Sequence, residues 1–215
     1  MEVAITKKRI FLYALGLVIL AAGLTLNTKA ALGVSPIVSV SYCLSQLSGM
    51  NFGDATFIWY CVLVLAQVVI HLIRKENGKI VPDLLQIVVS LLFTRVVNVF
   101  GAFIPEFGEG RPMLLRLAVL ALAIILTGIG AVMSLDMRIV PNPGDGIVQT
   151  LADVIGKKVG TAKNIFDVIC VTTTACISLI FGGRLIGIGI GTIAAAIGVG
   201  RVMALFNKIT GMDKI

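Results

Sequence analysis

Apolar residues run almost unbroken through six stretches of this chain, roughly 10–27, 55–73, 82–104, 113–134, 164–181 and 185–206. Each is close to the about 20 residues that a helix needs to cross the hydrocarbon core of a bilayer. The links between the second and third stretches (RKENGK) and between the fifth and sixth (GGR) are short, which predicts two helical hairpins. The pattern breaks twice in a different way. GVSPIVSVSYCLSQLSG (Gly33–Gly49) and VPNPGDGIVQTLADVIG (Val140–Gly156) place proline, glycine and small polar residues in front of a short helix-like run. Ser35-Pro36 and Asn142-Pro143 have the chemistry of helix starts, a capping side chain followed by proline at the first helical position. Gly49 and Gly156 suit left-handed stops. A helix of about 13 residues is roughly 20 Å long, too short to span. The segments 35–49 and 142–156 therefore either lie on the surface or enter the membrane and return. The first carries no charge, which favours re-entry, because a surface helix needs a polar face.

The two halves match at an offset of 107 residues: Arg9 with Arg116, Gly23 with Gly130, Pro36 with Pro143, Gly49 with Gly156. Residues 1–108 form one repeat and 109–215 the other, each reading span, short segment, span, span. Three spans per repeat is an odd number, so the second must enter the membrane from the opposite side. The fold class is an all-α polytopic membrane protein of six spans in two inverted repeats, an architecture whose ligand sites lie near the midplane between repeats.

Composition agrees: 58% hydrophobic, 13% charged and a mean hydropathy of +1.03 exclude an ordinary soluble domain. The net charge of +7 needs no nucleic acid to explain it. Lys and Arg fall 12 on one side of the expected topology and 4 on the other, which makes the first side, with both termini, cytoplasmic. The basic N-terminal segment reads as an uncleaved first span. Cys43, Cys61, Cys170 and Cys176 form no C-x-x-C pair and read as small buried apolar residues. One histidine excludes a multi-histidine metal site, and no cofactor motif, G-x-S-x-G, H-E-x-x-H or P-loop occurs, so an enzyme is not expected.

Candidate chemistry lies in three places. Paired re-entrant segments would bring helix N-termini and their partial positive charge to mid-membrane, with Ser35, Pro36, Asn142, Pro143, Gly144 and Asp145 around a bound solute. In the third span Gln86, Ser90, Thr94 and Asn98 recur every four residues as one polar face, and Arg95 beside them is a candidate counter-charge to an anionic or zwitterionic solute. In the fifth span Asp167 can pair with Lys163 or with Arg95, or serve proton or ion coupling. Tyr60, Gln67 and His71 share a face of the second span, His71 as an interfacial anchor. Gly183, Gly187, Gly191 and Ala195 in the last stretch have small-xxx-small spacing, which suits close helix packing, a homodimer included.

The stretch GLTLNTKAALGVSPIVSVSY (Gly23–Tyr42), the later NPGDG (Asn142–Gly146) and the glycine-rich final span resemble the YczE/YyaS/YitT group of small bacterial integral membrane proteins. The resemblance implies a multi-pass protein of the bacterial plasma membrane and supplies no substrate. The leading expectation is a transporter or channel whose partners are the lipid bilayer and a small solute. The alternative is a membrane scaffold or regulator that transports nothing.

Overall fold

The computed structural model describes residues 6–108 and 110–211; Lys214, one of the lysines counted above, lies outside them. Eight α-helices are present among the described residues: α1 (Lys7–Lys29), α2 (Pro36–Ser48), α3 (Phe52–Ile73), α4 (Ile80–Phe103), α5 (Met113–Leu135), α6 (Pro143–Ile155), α7 (Val159–Gly182) and α8 (Ile190–Thr210). All but α2 and α6 are long and apolar enough to cross a membrane. Their outward side chains, Phe11, Leu92, Leu114 and Phe181 among them, are exposed and apolar, which is the surface that lipid requires.

α1 and α5 form the axis of the molecule. They run antiparallel and so close that side chains cannot fit between them. A Cβ on Gly23 would stand 2.5 Å from the Thr127 backbone nitrogen, and one on Gly130 would stand 2.4 Å from that of Leu20. Gly16 meets Met133 and Ser134 in the same manner. The two main contacts are one contact seen twice, because Leu20 and Thr127 are related by the same 107-residue offset as Gly23 and Gly130.

The offset holds at the helix ends too. The Arg9 Nη2 donates to the Met137 carbonyl at 2.9 Å. Arg116 donates from Nε to the Ala30 carbonyl at 3.1 Å and from Nη2 to that of Ala31 at 2.6 Å. Each arginine of the matched pair thus closes the C-terminal carbonyls of the other repeat's first helix, groups that have no partner within their own helix. Just beyond, Ala31 (φ 52°) and Arg138 (φ 51°) both take the left-handed conformation and turn the chain back toward the interior. Non-glycine residues seldom do so, and here they do so at equivalent positions.

After these turns come α2 and α6, each of 13 residues, starting with proline and ending on a left-handed glycine, Gly49 (φ 73°) and Gly156 (φ 61°). Both bury about half of their residues against the long helices, the placement that re-entry requires. Ser35 and Asn142, at their starts, line one interior cavity together with Leu20, Leu24, Tyr60, Thr127 and Ala131 from the long helices. Each half-helix packs on the third helix of the other repeat, α2 on α7 and α6 on α3. The Trp59 indole holds α2 in place by donating to the Ile37 carbonyl at 3.0 Å.

The repeats differ in their last hairpin. α3 and α4 pack along their length, as the pattern predicts. α7 and α8 do not form the expected hairpin. α8 begins at Ile190 rather than 185 and packs on α5, leaving a groove between itself and α7. The reason is the glycine-rich run. Gly183 ends α7 in the left-handed region (φ 65°), and Gly187 (φ 76°) gives its carbonyl to the Val34 N–H at 2.9 Å. The Gly191 N–H donates to the Leu32 carbonyl at 2.7 Å. A Cβ on Gly189 would stand 2.4 Å from that same carbonyl oxygen. Only Gly191 and Ala195 of the small-residue series are helical, and both are buried within the chain. Gly187, Gly189 and Gly191 are therefore spent on the segment leading into α2, whereas Gly183 is exposed at the end of α7. Cys43 and Cys170 are buried as expected, whereas Cys176 is exposed on α7.

Replacing Gly23 or Gly130 by leucine should force α1 and α5 apart and cost about 1–3 kcal/mol or more, the usual range for overpacking. Gly101→Leu, with open space where its side chain would stand, should be close to neutral. Thermal unfolding of the three variants in one detergent checks this; equal loss in all three would contradict the packing described.

Candidate functional site

The two half-helix starts meet. A Cβ on Gly144 of α6 would stand 2.8 Å from the Ile37 side chain of α2. Around this junction is a small cavity of about 60 Å³, lined by Ser35, Ile37, Tyr60, Asn142, Asp145 and Lys163 among others. At about 30 Å³ per water, it has room for roughly two molecules. The backbone at both starts is largely satisfied from within. The Ser35 N–H donates to Asn27 Oδ1 at 2.9 Å. Asn142 takes the Gly144 N–H on its side chain at 3.1 Å and the Asp145 and Gly146 N–H groups on its carbonyl at 2.9 and 2.8 Å. The α6 terminus is thus closed by its own cap and already carries a carboxylate, Asp145, in its first turn. The charge facing the cavity is a carboxylate and an ammonium, Asp145 and Lys163.

A chain of buried polar side chains leads from this junction toward the face where α1 begins and α8 ends. Gln67 Nε2 lies 3.5 Å from the Pro143 carbonyl, at the limit of hydrogen bonding. Gln67 and Gln86 exchange amide bonds at 3.2 and 3.0 Å. Gln86 donates to Asp83 Oδ1 at 3.4 Å, and Asp83 Oδ2 lies 2.6 Å from His71 Nδ1. His71 and Asp83 are each 4% exposed. Gly146 makes room for the two glutamines: a Cβ there would stand 2.6 Å from Gln67 Oε1. The chain ends at a vestibule of about 200 Å³ lined by His71, Lys79, Asp83, Gln149 and Asp153. Lys79 bonds Asp153 of α6 at 3.1 Å and Glu76 of the preceding turn at 2.9 Å. Hydrogen bonds first from Lys79 and then from Arg74 hold the Glu76 carboxyl down at about 2.

The related positions in the other half are filled differently. Thr174 stands where the offset places Gln67, Ser39 where it places Gly146, and Ser178 where it places His71. The Ser39 and Thr174 hydroxyls bond at 2.7 Å, and Ser178 meets Cys43 Sγ at 3.4 Å. One half is sealed with hydroxyls and the other carries a histidine, a carboxylate and two amides through the equivalent interface.

Ser35, Pro36, Asn142, Pro143, Gly144 and Asp145 are thus brought together, and Gln86 reaches them through Gln67. The rest of the α4 face disperses. Ser90 bonds the Gln86 carbonyl of its own helix at 2.6 Å, and Thr94 that of Leu91 at 3.2 Å. Asn98 accepts the Gly53 N–H at 2.9 Å and donates to Asp54 at 3.0 Å. Arg95 does not join the junction. It is 51% exposed at the side chain and pairs with Asp54, near the opposite face. Asp167 takes the i−4 pairing, its Oδ2 bonded by Lys163. His71 is no interfacial anchor but the buried partner of Asp83. The missed residues were Asp83, whose distance from His71 closes only in the α3–α4 hairpin, and Lys163 as a cavity group. The shared face of Tyr60, Gln67 and His71 was the available signal.

On the opposite face a vestibule of about 390 Å³ is lined by Lys29, Tyr42, Gln46, Asn51, Asn98 and Glu106, with Lys29 and Glu106 paired. No metal-holding group of His, Cys, Asp and Glu occurs among the described residues.

Truncating Asp83 to alanine should strand His71 and Gln86 in the interior and cost about 3–5 kcal/mol. Asp54→Ala, at a pair open to the surface, should cost about 1 kcal/mol or less. Equilibrium unfolding in bicelles separates them; equal costs would mean that the His71–Asp83 pair is wet.

Among known proteins the chain is similar to the uncharacterized protein YyaS of Bacillus subtilis (strain 168), with 21% identity over 197 residues covering 92% of this chain and 91% of that protein. No solved structure gives a significant match. Residues 7–208 match the family of unknown function DUF6198, and the chain belongs to that family.

Proposed function

We propose that this membrane protein carries a small zwitterionic solute across the bacterial cell membrane, with both termini cytoplasmic. The carrying observation is the junction itself: two half-helices entering from opposite faces end at one cavity that presents a carboxylate and an ammonium, Asp145 and Lys163. A zwitterion offers each its complement, whereas a simple anion would meet Asp145 with like charge. Supporting this are polar vestibules on both faces, about 390 and 200 Å³, beside the small 60 Å³ cavity at the half-helix junction. That arrangement suits a carrier whose access changes side when one half-helix shifts. The re-entrant backbone has the usual reason to exist in such a place, because irregular chain survives at membrane depth where it borders protein or a wet cavity. The Lys and Arg excess on the face of α1's start supports the orientation. The scaffold reading loses support, since Gly191 and Ala195 of the small-residue series are buried within the chain and Gly187 packs on Tyr42.

The test is uptake of radiolabelled neutral amino acids and betaines into proteoliposomes. Uptake should occur for at least one, and Asp145→Asn should reduce it by about tenfold or more without lowering thermal stability, since a charge-assisted contact is lost. Uptake unchanged by Asp145→Asn would remove the junction from the account.

A further inference from the structure

The groove between α7 and α8 holds about 620 Å³, within the range of pockets that take a single small ligand. Its walls are Val168 and Val171 from one side and Ile190, Ile193 and Ile197 from the other. Val168, Ile190, Ile193 and Ile197 are exposed, so the groove opens on the apolar outer surface, toward lipid. An apolar groove on a membrane protein says little by itself. This one contains Asp167, which is 6% exposed. One carboxylate oxygen of Asp167 takes Lys163, and the other, Oδ1, is buried with no hydrogen-bond partner. A buried acceptor left without a donor is costly, more so if charged, so a donor is expected there.

Charge narrows the donor. Asp167 and Asp145 act on each other electrostatically and share the one ammonium of Lys163. A cationic donor complements two carboxyl groups set beside one ammonium, whereas a further carboxylate would bring like charge to them. Pro36, the first residue of α2, lines the same groove, and Lys163 lines the central cavity, so the Lys163–Asp167 pair stands between the two spaces. In the other repeat no such groove can exist, because α4 packs along α3 where α8 stands away from α7.

We propose that this groove binds a single-chain amphiphile with a protonated amine head, taken from the bilayer. Its hydrocarbon chain lies along Ile190–Ile197 and its ammonium donates to Asp167 Oδ1. This holds whether or not the central cavity carries a solute.

The experiment is photolabelling of the protein in phosphatidylcholine proteoliposomes with dodecylamine bearing a diazirine in its chain, with the matching dodecanoic acid probe alongside. Peptide mass spectrometry should place the amine label on the 168–172 and 190–197 segments, with the acid labelling them weakly. Asp167→Asn should lower the amine label there about tenfold, the loss expected for one charge-assisted hydrogen bond. Ile193→Trp, a change on the lipid-facing side that fills the groove without touching the buried charges, should do the same and guards against a misfolded Asp167 variant. Equal labelling by amine and acid, or amine label indifferent to Ile193→Trp, would overturn the proposal and leave the groove as ordinary lipid-facing surface.

Discussion

The interior depends on how closely α1 and α5 cross. Their backbones approach until glycine is the only residue that fits at Gly23 and Gly130. That contact places the two repeats back to back, in opposite senses, along one line. Once it is made, each helix ends beside the start of the other, and Arg9 and Arg116 each close the other's terminal carbonyls. In lipid an open helix end is costly because no water reaches it. Borrowing the cap from the partner repeat lets each chain turn back inside the membrane, and the half-helices follow from that turn.

Much of this was legible in the sequence because it rests on residue types with narrow uses. Pro36 and Pro143 start the half-helices and Gly49 and Gly156 stop them, since proline and glycine have few alternative roles at those positions. The 107-residue repeat was visible at Arg9 and Arg116 although their task was not, because it needs carbonyls from the other half. The last span was misread for a related reason. Small residues at four-residue spacing suit a helix face, but Gly187 and Gly189 also suit close backbone approach, and the segment at Leu32–Val34 claims them. Local pattern could not choose between these uses.

The candidate site was half legible. The residues around the half-helix starts were marked by their cap chemistry. Arg95 was drawn in by its place beside the polar face of the third span, but side-chain length decides where its charge goes: it reaches Asp54 near the opposite face. The His71–Asp83 pair was hidden because its partners lie on two helices and meet only after the hairpin forms. What distinguishes the halves is also tertiary. Related positions hold Gln67 in one and Thr174 in the other, and only the packing of α6 on α3 and of α2 on α7 makes them equivalent.

The central claim is that the two half-helices enter from opposite faces and meet. A variant freed of its native cysteines, with Ile37→Cys and Gly144→Cys, tests it in native membranes. The account predicts a rapid intrachain link on mild oxidation and protection of both thiols from a membrane-impermeant maleimide. Two thiols that never link, and that the maleimide modifies from opposite faces, would mean that the segments lie on the surfaces and that no central junction exists.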